Sequence, residues 1–425
     1  MRKTFLFGLV LALMPCLGFA QFDEWFEPAA LRVDYTLTGN SNTTVFALKE
    51  LIREPYWSGS KVNLIDNLEF GSYIVKAFEP GTDHLLFSKG YQNLYGEWQT
   101  TDEAAAITKT FEESVILPFP KKGIEVVLYY KNWEGNLVEG LRFPVSPDDY
   151  FIRNANDLHL PVYEAWIGNS DITKAVDIVL LPEGYTQEEM GKFIADCNYF
   201  VESMFKYAPY DRYQNSFNIR GVMAPSAESG CTEPGAHVYK NTAMRFSYWT
   251  FDSERYCMST DNRDIRDLAG QVPYDQIYIL INSKKYGGGG IYNFYCSSAA
   301  GNTYSSDIFI HEFGHGFAGL ADEYYDDHDT YGDMYNNDIE PWEPNLTTLV
   351  DFDAKWKDMM DKKTPVPTPR EKKFENTIGV FEGGGYENER IYSPHMDCLM
   401  KTFNGHVFCP VCQRAIERMI LYYAQ

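Results

Sequence analysis

Short runs in which apolar and polar residues alternate fill the first third of the chain, at residues 31–37, 45–51, 71–78, 114–119, 123–130 and 137–143. A period of two sends successive side chains to opposite faces of a strand, and the Gly, Pro and Asn residues between the runs are turn formers. These runs predict an all-β sandwich-like domain over residues 21–152, with no chemical motif of its own. Pro144, Pro147 and the polar Asn154-Ala-Asn-Asp157 mark a linker. Beyond it the pattern changes. Residues 176–181 form a continuous apolar run suited to a central strand, and Thr186-Gln-Glu-Glu189 is a capping box that opens a helix to about residue 206. Residues 217–223 and 274–281 read as further buried strands, and 291–298 as another. This strand, helix, strand order predicts a mixed α/β domain over residues 165–425. A fragment starting near residue 165 is expected to fold by itself. The glycine run 287–290 is not a phosphate loop, because no Gly-Lys-Ser/Thr follows it.

Candidate chemistry sits in the segment His311-Glu-Phe-Gly-His315-Gly-Phe-Ala-Gly319-Leu-Ala-Asp322-Glu-Tyr324. On a helix with His311 at 0°, His315 falls at about 40° and Glu312 at about 100°, while Phe309, Phe313 and Phe317 cluster at roughly 160–240°. Two imidazoles and a flanking acid therefore share one face, and an apolar face lies opposite. Ser305-Ser306-Asp307 supplies a start signal, and Gly319 a left-handed stop that reverses the chain. Neutral imidazoles suit Zn²⁺, and a catalytic site uses three protein ligands plus an open position. Glu312, beside the ligand face without being needed on it, is placed to act as a general base. After the turn, Asp322 is the expected third ligand. Glu323 is its rival for that position, and Asp322 could instead be a hydrogen-bond partner of a histidine.

The pattern H-E-x-x-H-x-x-x-G-x-x-D resembles the metzincin signature. It departs in having the glycine and the ligand one residue later, and in offering aspartate rather than histidine. Further along come Glu382-Gly-Gly-Gly-Tyr386, Tyr392-Ser-Pro-His-Met-Asp-Cys398-Leu-Met400-Lys401 and Phe408-Cys409-Pro-Val-Cys412. With the histidine segment, these are similar to the mucosal immunoglobulin A peptidase family, the igalysin branch of the metzincins. The resemblance covers roughly residues 170–425, with a family-associated N-terminal domain before it. It implies an α/β metzincin-like zincin catalytic domain behind the sandwich, a secreted zinc-dependent endopeptidase acting on a protein or peptide substrate, and Met400 in a methionine turn beneath the metal. In metzincin-like architecture the place of strand 291–298 is held by the edge strand lining the cleft, able to pair with an extended peptide; a strand with no ligand is the equal alternative. Tyr392 is either a phenol that donates to developing negative charge or a buried aromatic. Two other readings fit the same scaffold: a noncatalytic glycan- or protein-binding adhesin, and a zinc hydrolase of nonpeptide cell-wall amides.

The net charge of −23 argues against nucleic acid as a partner. Met1-Arg-Lys-Thr4, the apolar residues 5–17 and Gly18-Phe-Ala20 have the three regions of a cleavable secretory signal over residues 1–20. Cys16 invites a lipoprotein reading, which Pro15 fits poorly, and no later run approaches a membrane span. Seven cysteines follow Cys16, an odd number. Cys398 is expected to pair with Cys409 or Cys412; a structural zinc site of Cys398, His406, Cys409 and Cys412 is the alternative. The acidic stretch 324–329 lacks the spacing of a calcium loop and reads as solvated.

Overall fold

The computed structural model describes residues 21–325 and 334–425. The expected signal segment and most of the acidic stretch lie outside the described residues. The first part carries strands β1 (Phe26–Asn40), β2 (Thr43–Glu54), β3 (Tyr73–Phe78), β4 (Leu85–Tyr91), β5 (Lys109–Pro120), β6 (Ile124–Lys131), β7 (Leu137–Val145) and β8 (Arg153–Asn154), with short helices α1 (Leu94–Trp98) and α2 (Asp102–Ala106) before β5. They form two four-stranded sheets, ordered β5-β1-β2-β8 and β4-β3-β6-β7. Phe46 of the first sheet meets Tyr73 and Tyr130 of the second with ring centroids 6.4 and 5.8 Å apart, so the apolar faces close on each other. The six predicted runs all lie on strands; β4 is an addition. The stretch read as linker supplies β8, which pairs in parallel with β2.

The second part holds β9 (Val162–Ile167), β10 (Val176–Glu183), β11 (Phe217–Val222), β12 (Gln276–Ile281), β13 (Gly288–Gly290) and β14 (Tyr295–Ala299), with helices α3 (Met190–Met204), α4 (Asn262–Ala269), α5 (Ser305–Ala318) and α6 (Pro410–Tyr423). The six strands form one sheet, β13-β14-β12-β10-β11-β9, whose inner four are parallel and whose edges run antiparallel. A hairpin, β15 (Phe381–Gly384) and β16 (Glu387–Ser393), stands apart. The chain is thus a β-rich N-terminal part followed by a mixed α/β part. The strand expected over 291–298 is shorter, because Asn293 at φ 55° turns the chain before β14. Nor is it the edge: β14 lies between β12 and β13, and the glycine run takes the edge position. Tyr256 already bridges β13 at Gly288.

The central sheet buries both faces, as continuous apolar parallel strands require. Ile178, Leu180, Ile219, Tyr278 and Leu280 pack with α3, α5 and α6. On the other side Val179, Leu181, Val222, Ile277 and Ile279 belong to the same core as the sandwich. Polar contacts stitch this junction. Arg32, fully buried on β1, pairs with Asp34 and with Asp267 of α4, each at 2.7 Å. Tyr274 donates to Glu54 at 3.0 Å and Arg266 to Ser114 at 2.9 Å. The independent fold expected for a fragment starting near residue 165 is therefore not what the packing favours: cutting there would strip the core from one whole face of the sheet.

Candidate active site

The face of α5 that carries Phe309, Phe313 and Phe317 is buried against the sheet, with successive rings nearly parallel and Tyr278 4.3 Å from Phe309. That anchors the helix and turns His311 and His315 the other way. No side chain caps its start at Ser305; the expected Asp307 sits inside the first turn, where it accepts hydrogen bonds from Tyr207 at 2.7 Å and His406 at 2.6 Å. The helix stops as expected at Gly319, with φ 64° and ψ 28°.

Each histidine is fixed through Nδ1. His311 donates to the Leu399 carbonyl at 3.0 Å and His315 to the Leu320 carbonyl at 2.6 Å. With the ring hydrogen on Nδ1, both Nε2 atoms present lone pairs, 3.2 Å apart. Asp322 Oδ1 completes the triangle, 3.1 Å from His311 Nε2 and 3.4 Å from His315 Nε2. Three acceptors thus converge in a buried place. Zinc bonds of about 2.0–2.1 Å in a tetrahedron put neighbouring ligand atoms roughly 3.3 Å apart, which these edges match. The triangle demands positive charge. Burial disfavours a charged imidazole, yet the Asp322 carboxylate outweighs it and lifts His315 to about 9. In return, and against burial, the histidines hold Asp322 well below the usual carboxylate range.

Asp322 is oriented by its second oxygen, which accepts a hydrogen bond from Tyr386. The Tyr386 hydroxyl also meets that of Tyr324 at 3.1 Å, and Arg255 donates to Tyr324 at 3.3 Å. Glu323 points away from the histidines: its Oε1 lies 3.1 Å from Asn345 Nδ2 and from Cys412 Sγ. Glu312 lies within ligand distance of both histidines, the three side chains offering atoms within 4.8 Å of one another. Burial raises its pKa against the pull of His311 and His315. Met400 is buried under the helix, its sulfur at 3.0 Å from where a Cβ on Gly314 would stand, and its carbonyl accepts from the Glu323 amide at 2.7 Å. Tyr392 is not at this site; its backbone pairs with Thr347 and its phenol neighbours Glu382. It is Tyr386, rather than Tyr392, whose phenol reaches Asp322.

Two residues that no motif flagged complete the surroundings. Gly290 passes so near α5 that a Cβ there would come within 2.5 Å of the Glu312 carbonyl and 2.9 Å of His315 Cβ. From the sandwich, Glu97 at the end of α1 accepts a hydrogen bond from Tyr256 and senses the charges of His315, Glu312 and Asp322. Desolvation by its neighbours raises it to about 7, although the Tyr256 bond and His315 act the other way. Neither residue had a local signal, since both arrive from distant segments.

The described helices include none long and apolar enough to cross a membrane. No curated protein matches the chain. Two family models do: the M64 peptidase N-terminus over residues 21–141, and IgA peptidase M64 over 167–377 and 370–420. Their combined span takes in the sandwich, the six-stranded sheet, the histidine helix and the methionine segment. With the histidine, aspartate and glutamate geometry in place, the matches make the chain a member of the M64 family of IgA peptidases, and so of a metallopeptidase family.

Proposed function

We propose that the protein is an exported zinc-dependent endopeptidase of metzincin-like architecture, in which His311, His315 and Asp322 hold the metal and Glu312 is the general base. The observation that carries this reading is the convergence of three lone-pair donors, at 3.1–3.4 Å from one another, with both histidine hydrogens committed to backbone carbonyls on the far side. Zinc bound there supplies Lewis-acid polarisation and acidifies water. The chain's own groups do the rest. Glu312 accepts a proton from the attacking water and returns it to the leaving amine, a role suited to a carboxylate whose pKa burial has raised. Tyr386 holds Asp322 in register, and Met400 fills the space beneath α5. Export is supported by the family match that begins at residue 21, directly after the expected cleavage point.

Glu312→Gln should retain zinc in the histidine site while peptide hydrolysis falls by about 10²–10⁴-fold. Mass spectrometry of cleavage products from a denatured peptide library, run beside metal analysis of both proteins, checks this. Wild-type rates in the variant would remove Glu312 from the mechanism.

A further inference from the structure

Asp322 and Glu323 point to opposite sides of the chain, as neighbours in an extended segment do. Asp322 meets the histidines; Glu323 enters a second constellation with Cys398, Cys409 and Cys412. All four side chains are buried, and their ligand atoms lie within 4.8 Å of one another. Cys398 Sγ and Cys412 Sγ are 3.8 Å apart, and Cys412 Sγ is 3.1 Å from Glu323 Oε1. A disulfide would bring the sulfurs to about 2.05 Å. Thiolates bound at about 2.3 Å around one tetrahedral zinc stand roughly 3.8 Å apart, the observed spacing.

The carboxylate supplies an independent observation. Glu323 is fully buried, and its Oε2 has no hydrogen-bond partner. Such an oxygen is costly to bury unless a cation meets it. The local backbone is shaped to match. Cys409 caps the start of α6 with Pro410 at the first helical position, so Cys409-Pro-Val-Cys412 turns both sulfurs inward. The Cys409 amide donates to Cys398 Sγ at 3.2 Å, the kind of bond a thiolate accepts. His406, the residue the sequence spacing offered as a ligand, is instead exposed and bonded to Asp307 at 2.6 Å.

We propose that Glu323, Cys398, Cys409 and Cys412 form a second, structural zinc site. It ties together the dipeptide that carries Asp322, the methionine segment and α6. The three sulfurs also explain the odd cysteine count, since a trio cannot be resolved into disulfides.

Metal content of the full-length protein, purified without chelator, provides the test. Two zinc ions per chain are expected in the wild type, one in His311→Ala, and at most one in Cys409→Ser. Should Cys409→Ser fail to fold, cobalt substitution of His311→Ala, compared with His311→Ala carrying Cys231→Ser, answers the same question: a thiolate-to-cobalt charge-transfer absorption that survives loss of the Cys231–Cys257 sulfur pair, 3.5 Å apart, reports the cysteine site. A His311→Ala protein with no zinc, a folded Cys409→Ser protein with two, or a disulfide among residues 398, 409 and 412 in a peptide map would each overturn the proposal, whereas one zinc in both the wild type and His311→Ala would support it and count against the histidine site instead.

Discussion

Asp322 carries more of the site's geometry than any other side chain, because one oxygen faces both histidines and the other is held by Tyr386. Asp322→Ala should therefore empty the histidine site. Tyr386→Phe should only weaken it, by about 10–100-fold in zinc affinity, the usual effect of removing a partner of a metal ligand. Competition with a chromophoric chelator measures both, and equal affinities in Tyr386→Phe and wild type would deny the tyrosine its orienting role. At this scale the convergence of the histidines, Glu312 and Asp322 was legible because they lie within one helix and one turn, where spacing fixes direction. Tyr386 was not legible. It reaches Asp322 from a different segment, and no local rule distinguishes it from Tyr392, which lies on β16.

Among the elements, the edge strand β13 was the least readable. Three consecutive glycines suggest a loop by propensity, yet they are used here because the strand runs against neighbours too close for side chains. Gly290→Ala would drive a methyl into the Glu312 carbonyl and His315 Cβ, on the turn that holds the histidine face of α5. An overpacking cost of about 1–3 kcal/mol is expected in chemical denaturation, with hydrolysis reduced as α5 shifts. Unchanged stability and activity would mean that β13 can move away freely. The long apolar elements were easier. Strands β10, β11 and β12 and the Phe-faced helix α5 each show the period of their structure over enough residues to exclude the alternative.

For the molecule as a whole, alternation predicted a sandwich and a separate α/β part, but could not reveal that the two share one core. Arg32 and Asp34 are polar positions on β1 that read as solvent-facing, yet both are buried, paired with each other, where Arg32 meets Asp267 of α4. A fragment starting near residue 165 should accordingly be insoluble or unfolded. In the full chain, Arg32→Ala should lose about 3–5 kcal/mol, since it removes the buried cation that Asp34, Glu54 and Asp267 share, leaving Asp267 only the more distant Arg263 at 3.8 Å. Denaturant titration of the variant and circular dichroism of the fragment decide the matter; a soluble, cooperatively folding fragment would refute the shared-core account. Exchange between proteins is constrained as well. A sandwich borrowed from elsewhere could not be fitted as a cassette, because it would have to bring matching charges to α4 and matching apolar side chains to the underside of the sheet. The two halves must be inherited together, and a change on either side of the junction sets the terms for what the other can accept.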